Sequence, residues 1–149
     1  MPVSDLKKHT GYWMRMVSNA VSYDFARKIA AEDVTVAEWV FMRSLYDAEA
    51  LAPSALAEKM GMTKGAISKL ADRLLAKGLV GRTDNERDKR AHSLFLTEDG
   101  RNKVPRLASL ADQNDTEYFG VLSADEHASL ERILKALIER RGLTDIPVE

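Results

Sequence analysis

Cysteine is absent from this chain of 149 residues. That absence excludes disulfides, thiolate metal sites and sensing by thiol oxidation. Long apolar runs are missing too: none approaches the ~18 residues that a membrane span needs. The opening MPVSDLKKHTGYW has no apolar core behind its charges, so no signal peptide is expected and the chain reads as cytoplasmic. His9, His92 and His127 do not share a ligand spacing, whereas a zinc site needs three or four converging groups. No glycine-rich phosphate loop, Ser-His-Asp arrangement or HExxH run is present. Neither an enzyme nor a bound cofactor is expected. An excess of one charge is also lacking, since the net is −1.

The charges are unevenly placed, however. Nine basic residues stand between Lys59 and Arg90 against four acidic ones, so this window is positive and the rest of the chain is acidic. A basic centre in an acidic frame is the kind of footprint a polyanion would meet.

Most of the chain has helical periodicity. From about Asp5 to Ala31, apolar residues at Tyr12, Trp13, Met16, Val17, Ala20, Val21, Phe25 and Ile29 form one wide stripe. Thr35 and Glu38 have capping-box spacing and open a second helix. Pro53 suits the first turn of a third, short helix, which Gly61 ends. Thr63 caps a fourth, with Ile67, Leu70, Ala71, Leu74 and Leu75 inward. Two helices joined by so short a glycine-containing turn predict a helix-turn-helix. After Gly78, LVGRT and HSLFLT alternate as strands around the charged loop DNERDKR, which predicts a β-hairpin with a charged tip. A hairpin beside a helix-turn-helix makes a winged helix. Thr97 caps a further helix, in which Pro105 is expected to cause a kink or a break. Ser123 and Glu126 open the last helix with another capping box.

The expected fold is therefore mainly α: a winged helix-turn-helix over residues 35–97, flanked by an N-terminal helix (1–34) and C-terminal helices (98–149). The flanking helices are surplus to a winged helix, yet each carries an apolar stripe that must be buried. A homodimer would bury them and would set two recognition helices about one turn of DNA apart.

The segments SALAEKMGMTKGAISKLADRLLAKGLVGR and ERDKRAHSLFLTEDG resemble the MarR family of bacterial transcriptional regulators, over nearly the whole chain. The run DKR followed by apolar alternation and LT..G, placed just after L..KGLV.R, carries the likeness. The resemblance implies a homodimer interlocked through terminal helices and bound to a pseudo-palindromic DNA duplex. It also implies a transcriptional regulator of a kind often released by a small-molecule effector, and the expected action is repression. Carried onto this sequence, the wing pattern gives Asp88 the role of orienting a nearby arginine, and Arg90 or its neighbours that of entering the minor groove. Gly65 departs from the family, which often has a small polar residue there.

The DNA-binding residues expected on the recognition helix are Thr63, Lys64, Gly65, Ser68, Lys69 and Arg73. Lys64 can donate to guanine O6 and N7, and Ser68 can donate or accept. Gly65 allows close backbone approach. Thr63 caps the helix and can touch a phosphate. Lys69 and Arg73 suit phosphates, which set register without reading sequence. For Arg73 an ion pair with a wing acid is an equal alternative. At the wing, Arg87, Asp88, Lys89 and Arg90 are expected to meet the minor groove, where a planar guanidinium fits narrow A·T-rich tracts.

Tyr12, Trp13, Met16, Trp39 and Met42 form an aromatic and thioether group that could line an effector pocket, although residues at this spacing are more often core. An alternative reading is a winged helix that contacts an acidic protein. A remoter one is a helical small-molecule carrier.

Overall fold

A computed structural model describes residues 2–84 and 92–143 of the chain. A 3₁₀ turn, Leu6–Lys8, leads into α1 (Thr10–Ala30). The series continues with α2 (Val36–Tyr46), α3 (Pro53–Met60) and α4 (Lys64–Ala76). The strands β1 (Val80–Asp84) and β2 (His92–Leu96) follow, then α5 (Glu98–Phe119) and α6 (Ala124–Arg140). The winged helix-turn-helix with added terminal helices, expected from periodicity, is the observed fold.

Local chemistry accounts for most boundaries. The Thr35–Glu38 and Ser123–Glu126 capping boxes both form, each side chain accepting from the other's backbone N–H. Thr63 and Thr97 cap α4 and α5 by accepting from Ala66 and Gly100. Gly61 ends α3 at φ 63°, a left-handed conformation that any side chain would resist. At the N-terminus the helix starts later than the expected boundary near Asp5. The Asp5 carboxylate accepts from Lys7 N, which favours a tight 3₁₀ turn, and α1 begins only at Thr10.

Pro105 does not break α5, which runs without interruption from Glu98 to Phe119. The proline is exposed, so the carbonyl it leaves unbonded can meet water, while Val104 and Leu107 on either side are buried and hold the helix to the core.

The core lies inside the winged helix and extends up α5. Phe41, Met42 and Leu45 of α2, Leu56 of α3, Ile67 and Leu74 of α4, Leu94 of β2 and Leu107 of α5 are all essentially inaccessible. The strands pair antiparallel, with Val80 opposite Leu96 and Asp84 opposite His92. A feature beyond the periodicity is a bridge from Leu51, between α2 and α3, to Leu94 (N···O 2.9 and 2.8 Å), which ties the hairpin to the helix-turn-helix. Polar contacts bind α1 to α5. Buried Asn114 donates to Val21 O (3.2 Å) and accepts from Lys28 Nζ (2.9 Å), and Lys28 also pairs with Glu117 (3.1 Å).

Gly100 at the start of α5 is required by space. A Cβ there would overlap the Leu79 carbonyl oxygen and press on Leu96 Cδ2 at 3.2 Å. That close approach is reinforced by Thr97 N donating to Leu79 O (3.1 Å) and Thr97 Oγ1 to Gly78 O (2.7 Å).

The terminal helices are a different matter. Among the described residues, every exposed large hydrophobic side chain lies before residue 24 or after residue 120. They include Trp13, Met16 and Val17 on α1 and Ile133, Leu137 and Ile138 on α6. Not one residue of α6 is buried. No helix of the described residues is long and apolar enough to cross a membrane.

Candidate nucleic-acid interface

Helix α4 has two unlike faces. Ile67, Leu70, Ala71 and Leu74 are buried against the other helices, while Thr63, Lys64, Gly65, Ser68, Lys69, Asp72 and Arg73 are exposed. Burial of one face fixes the other outward, so Lys64, Ser68 and Asp72 stand in one line at i, i+4 and i+8. A Cβ placed on Gly65 would meet nothing within 4 Å. Nothing in the fold demands glycine there, and an interior glycine costs helix stability, about 1 kcal/mol relative to alanine. The result is a strip of bare backbone between two lysines on the surface.

The hairpin flanks this helix. A cleft of about 100 Å³ between them is lined by Ser68 and Asp72 of α4 and by Arg82 and His92 of the strands. Arg82 pairs with Asp84 (3.4 Å). The wing residues expected to meet DNA, Arg87, Asp88, Lys89 and Arg90, lie outside the described residues. The strands that carry the loop are paired up to Asp84 and His92.

Arg73 has a partner that sequence reasoning missed. Its Nη2 lies 3.5 Å from Glu38 Oε1 and 3.4 Å from Thr35 Oγ1, so the acid beside it belongs to α2. Lys77, one turn later, is held more closely. Its Nζ donates to Asp33 O (2.7 Å) and to Glu38 Oε1 (3.0 Å). Glu38 is wholly buried, and its second oxygen, Oε2, is buried without a hydrogen-bond partner among the described residues. The TxxE spacing disclosed the cap. It held no signal that the same carboxylate receives two cations, Arg73 and Lys77, from 35 and 39 residues downstream.

Burial by itself would raise the Glu38 pKa. The Thr35 backbone N–H and then Lys77 outweigh it and hold the carboxyl below its ordinary value of 4.5. A folded value lower than the unfolded one means the carboxylate's stabilisation is complete above about pH 4.5 and is lost as pH falls through the folded value. Glu38→Gln retains a cap acceptor and should flatten the acid limb of stability against pH in denaturant titrations. An acid limb of unchanged slope would assign that loss to other carboxylates.

The five residues expected around an effector do not share one cavity within the chain. Tyr12 and Trp13 meet edge to face at 5.2 Å. Trp13 lines a cavity of about 490 Å³ between α1 and α6, together with Val17, Val21, Phe119, Leu130 and Leu134. Trp39 instead lines a cleft beside Arg43, Asp47 and Lys59. Met42 is sealed in the core, because α2 turns Phe41, Met42 and Leu45 inward. Met16 is exposed on α1. Among the described residues, no cluster of three or more His, Asp or Glu side chains is arranged to hold a metal ion.

Residues 34–92 match the profile of the MarR family. The multiple antibiotic resistance protein MarR of Escherichia coli strain K12 is 33% identical over 107 residues, covering 71% of this chain and 74% of that protein. The transcriptional regulator PrsX of Escherichia coli, described as HTH-type, is 30% identical over 112 residues, covering 74% of this chain and 68% of PrsX. Among solved structures, a cysteine-to-serine mutant of E. coli MarR complexed with operator DNA superposes with a TM-score of 0.76 at 29% identity. That match covers 86% of this chain and 92% of the other.

Proposed function

The chain belongs to the MarR family of DNA-binding transcriptional regulators, and we propose that it acts as a repressor, occupying a pseudo-palindromic operator as a homodimer. The single observation that carries this reading is α4: one face buried, the other exposed and bearing Thr63, Lys64, Gly65, Ser68 and Lys69. In the proposed complex the front of α4 enters the major groove. Lys64 donates to guanine O6 and N7, and Ser68 donates to or accepts from a neighbouring base. The bare backbone at Gly65 lets the helix approach closely. Thr63 and Lys69 take phosphates, which set the register. The wing brings Arg87, Lys89 and Arg90 to the adjacent minor groove, with Asp88 orienting an arginine.

Residues 1–34 and 98–149 form the dimer platform, and residues 35–97 read DNA. The apolar side chains left exposed on α1 and α6 support this division, because a two-fold contact would cover both stripes at once. A small-molecule effector would release the operator by favouring one spacing of the two recognition helices, acting only through its difference in affinity for the two arrangements.

Two measurements test the proposal. Titration of a random-sequence duplex at increasing salt should show binding that weakens steeply with ionic strength. Selection of duplexes from a random pool should return an inverted repeat, and should be repeated with candidate effectors. Indifference to duplex DNA at low salt would remove the reading. Within it, Lys69→Ala should weaken all duplexes alike and lower the slope of log K against log salt by about one. A loss confined to one base change would instead make Lys69 a base reader.

A further inference from the structure

The apolar face of α4 sets which side is buried, but oily contacts are non-directional and tolerate small rotations. Something more directional acts at the other end of the helix. Arg73, in the last turn of α4, and Lys77, its C-cap, stand at i and i+4. Both reach back to Glu38 in the first turn of α2, and Lys77 also binds Asp33 in the turn after α1. Asp33 itself is held at φ 58°, a left-handed conformation, with its carbonyl aimed at the ammonium. Its neighbour Glu32 pairs with Arg106 of α5. The turn between the first helix and the winged helix thus gathers cations from both α4 and α5.

We propose that Glu38 is a positioning residue for DNA reading: its buried carboxylate, with Lys77 and Arg73, locks the angle of α4 relative to the α1–α2 turn and so places Lys64 and Ser68 on the base edges. The proposal rests on the DNA-reading role of α4. It also makes Arg73 a member of this lock, where the sequence left a phosphate contact and an ion pair with a wing acid as equal alternatives.

The leverage is considerable. Lys64 and Lys77 are separated by roughly 20 Å of helix at 1.5 Å per residue. A rotation of about 10° at the lock therefore displaces the reading end by ~3 Å, more than a hydrogen bond to a base edge tolerates. The lock is also well suited to holding a direction. One carboxylate oxygen receives the Thr35 N–H (2.9 Å), the Lys77 ammonium (3.0 Å) and, at longer range, the Arg73 guanidinium (3.5 Å). Water does not compete, because Glu38 has no exposed surface. A hydrogen-bonded charge cluster in such a place is sensitive to geometry in a way that leucine packing is not.

The test compares two duplexes on the full-length protein: the best sequence recovered from the random-pool selection and a random duplex of equal length. Glu38→Gln keeps the cap on α2 but removes the charge that draws Lys77 and Arg73 inward. The ratio of the two affinities is expected to fall at least about tenfold, the equivalent of roughly one base contact. Affinity for the random duplex should hold or rise, since two cations become freer for phosphates. Lys77→Gln leaves the cap untouched and should lower the same ratio; it decides the matter if Glu38→Gln fails to fold. A purely structural role for Glu38 would lower the melting temperature and leave the ratio where it was, and that result would overturn the proposal. Failure of the parent protein to prefer any duplex would be a separate outcome, removing the DNA-reading role and this inference with it.

Discussion

Replacing Ile133 and Leu137 together with glutamate is expected to leave a folded monomer that no longer holds its operator. The two side chains are 50% and 43% exposed in the single chain, one turn apart on α6. Their replacement therefore removes little of the chain's own packing. In the proposed dimer both are covered, and two-fold symmetry presents each substitution twice. Burying an ionised carboxylate without a partner costs several kcal/mol even after relaxation. Four such groups in one interface would exceed what a standard dimer contact provides, so association in the micromolar range should be lost.

The consequence for DNA follows from multivalency. A dimer that has placed one recognition helix holds the second near its half-site at an effective concentration on the order of millimolar. A monomer lacks that advantage, and operator affinity should drop by roughly 10²- to 10⁴-fold. Sedimentation or light scattering would report the assembly, circular dichroism the retained helix, and gel shift the DNA. A variant that remains dimeric would show that another face joins the chains. A monomer that still binds the operator tightly would separate dimerisation from DNA recognition.

The second large effect concerns Gly100 and is a matter of packing. Gly100→Ala adds only a methyl group, and alanine is the better helix former by about 1 kcal/mol. On propensity alone the change should stabilise. The neighbour that the new Cβ would overlap, however, is the backbone carbonyl of Leu79, which cannot rotate aside and already accepts from Thr97. The start of α5 must then lift away from the hairpin, weakening the Thr97 contacts to Gly78 and Leu79 and the packing of Leu96. Overpacking of this kind costs ~1–3 kcal/mol. Set against the gain in propensity, the net loss reaches about 2 kcal/mol at the upper end, which would lower the melting temperature by roughly 4–8 °C in a chain of this size.

Gly65→Ala serves as the internal contrast. With open space around the new methyl group, it should raise the melting temperature while weakening binding to the selected duplex, if the backbone at that point meets DNA. Equal thermal behaviour of the two variants would mean that the contact at Leu79 relaxes at no cost.

Several features of this molecule were legible before any coordinates. Capping signals work through neighbours three residues apart, so Thr35, Thr63, Thr97 and Ser123 announced their helices. Apolar spacing along α4 told which face is outward, because a helix that buries Ile67 and Leu74 must expose Lys64 and Ser68. Pro105 shows the limit of local reasoning. Its ring removes a hydrogen bond wherever it stands, but whether the helix yields depends on Val104 and Leu107, which partners far along the chain hold in place. The expected effector group is divided within the single chain for a related reason. Periodicity grouped Trp39 and Met42 with the aromatic residues of α1, yet a side chain's neighbours are set by how helices cross, and Met42 faces the core.

By itself the sequence determined the kinds and order of the elements, the outward face of the recognition helix and the excess of apolar surface at both ends. All of these are short-range consequences of residue type and spacing. Only the tertiary structure decided that Glu38 draws Lys77 and Arg73 to one buried carboxylate, that Gly100 lies against Leu79, and that Trp13 and Trp39 line different cavities. Those are contacts between residues some 20 to 40 positions apart, or the lack of one. They depend on the angles at which packed helices meet, a property of the whole core to which no single stretch of sequence corresponds.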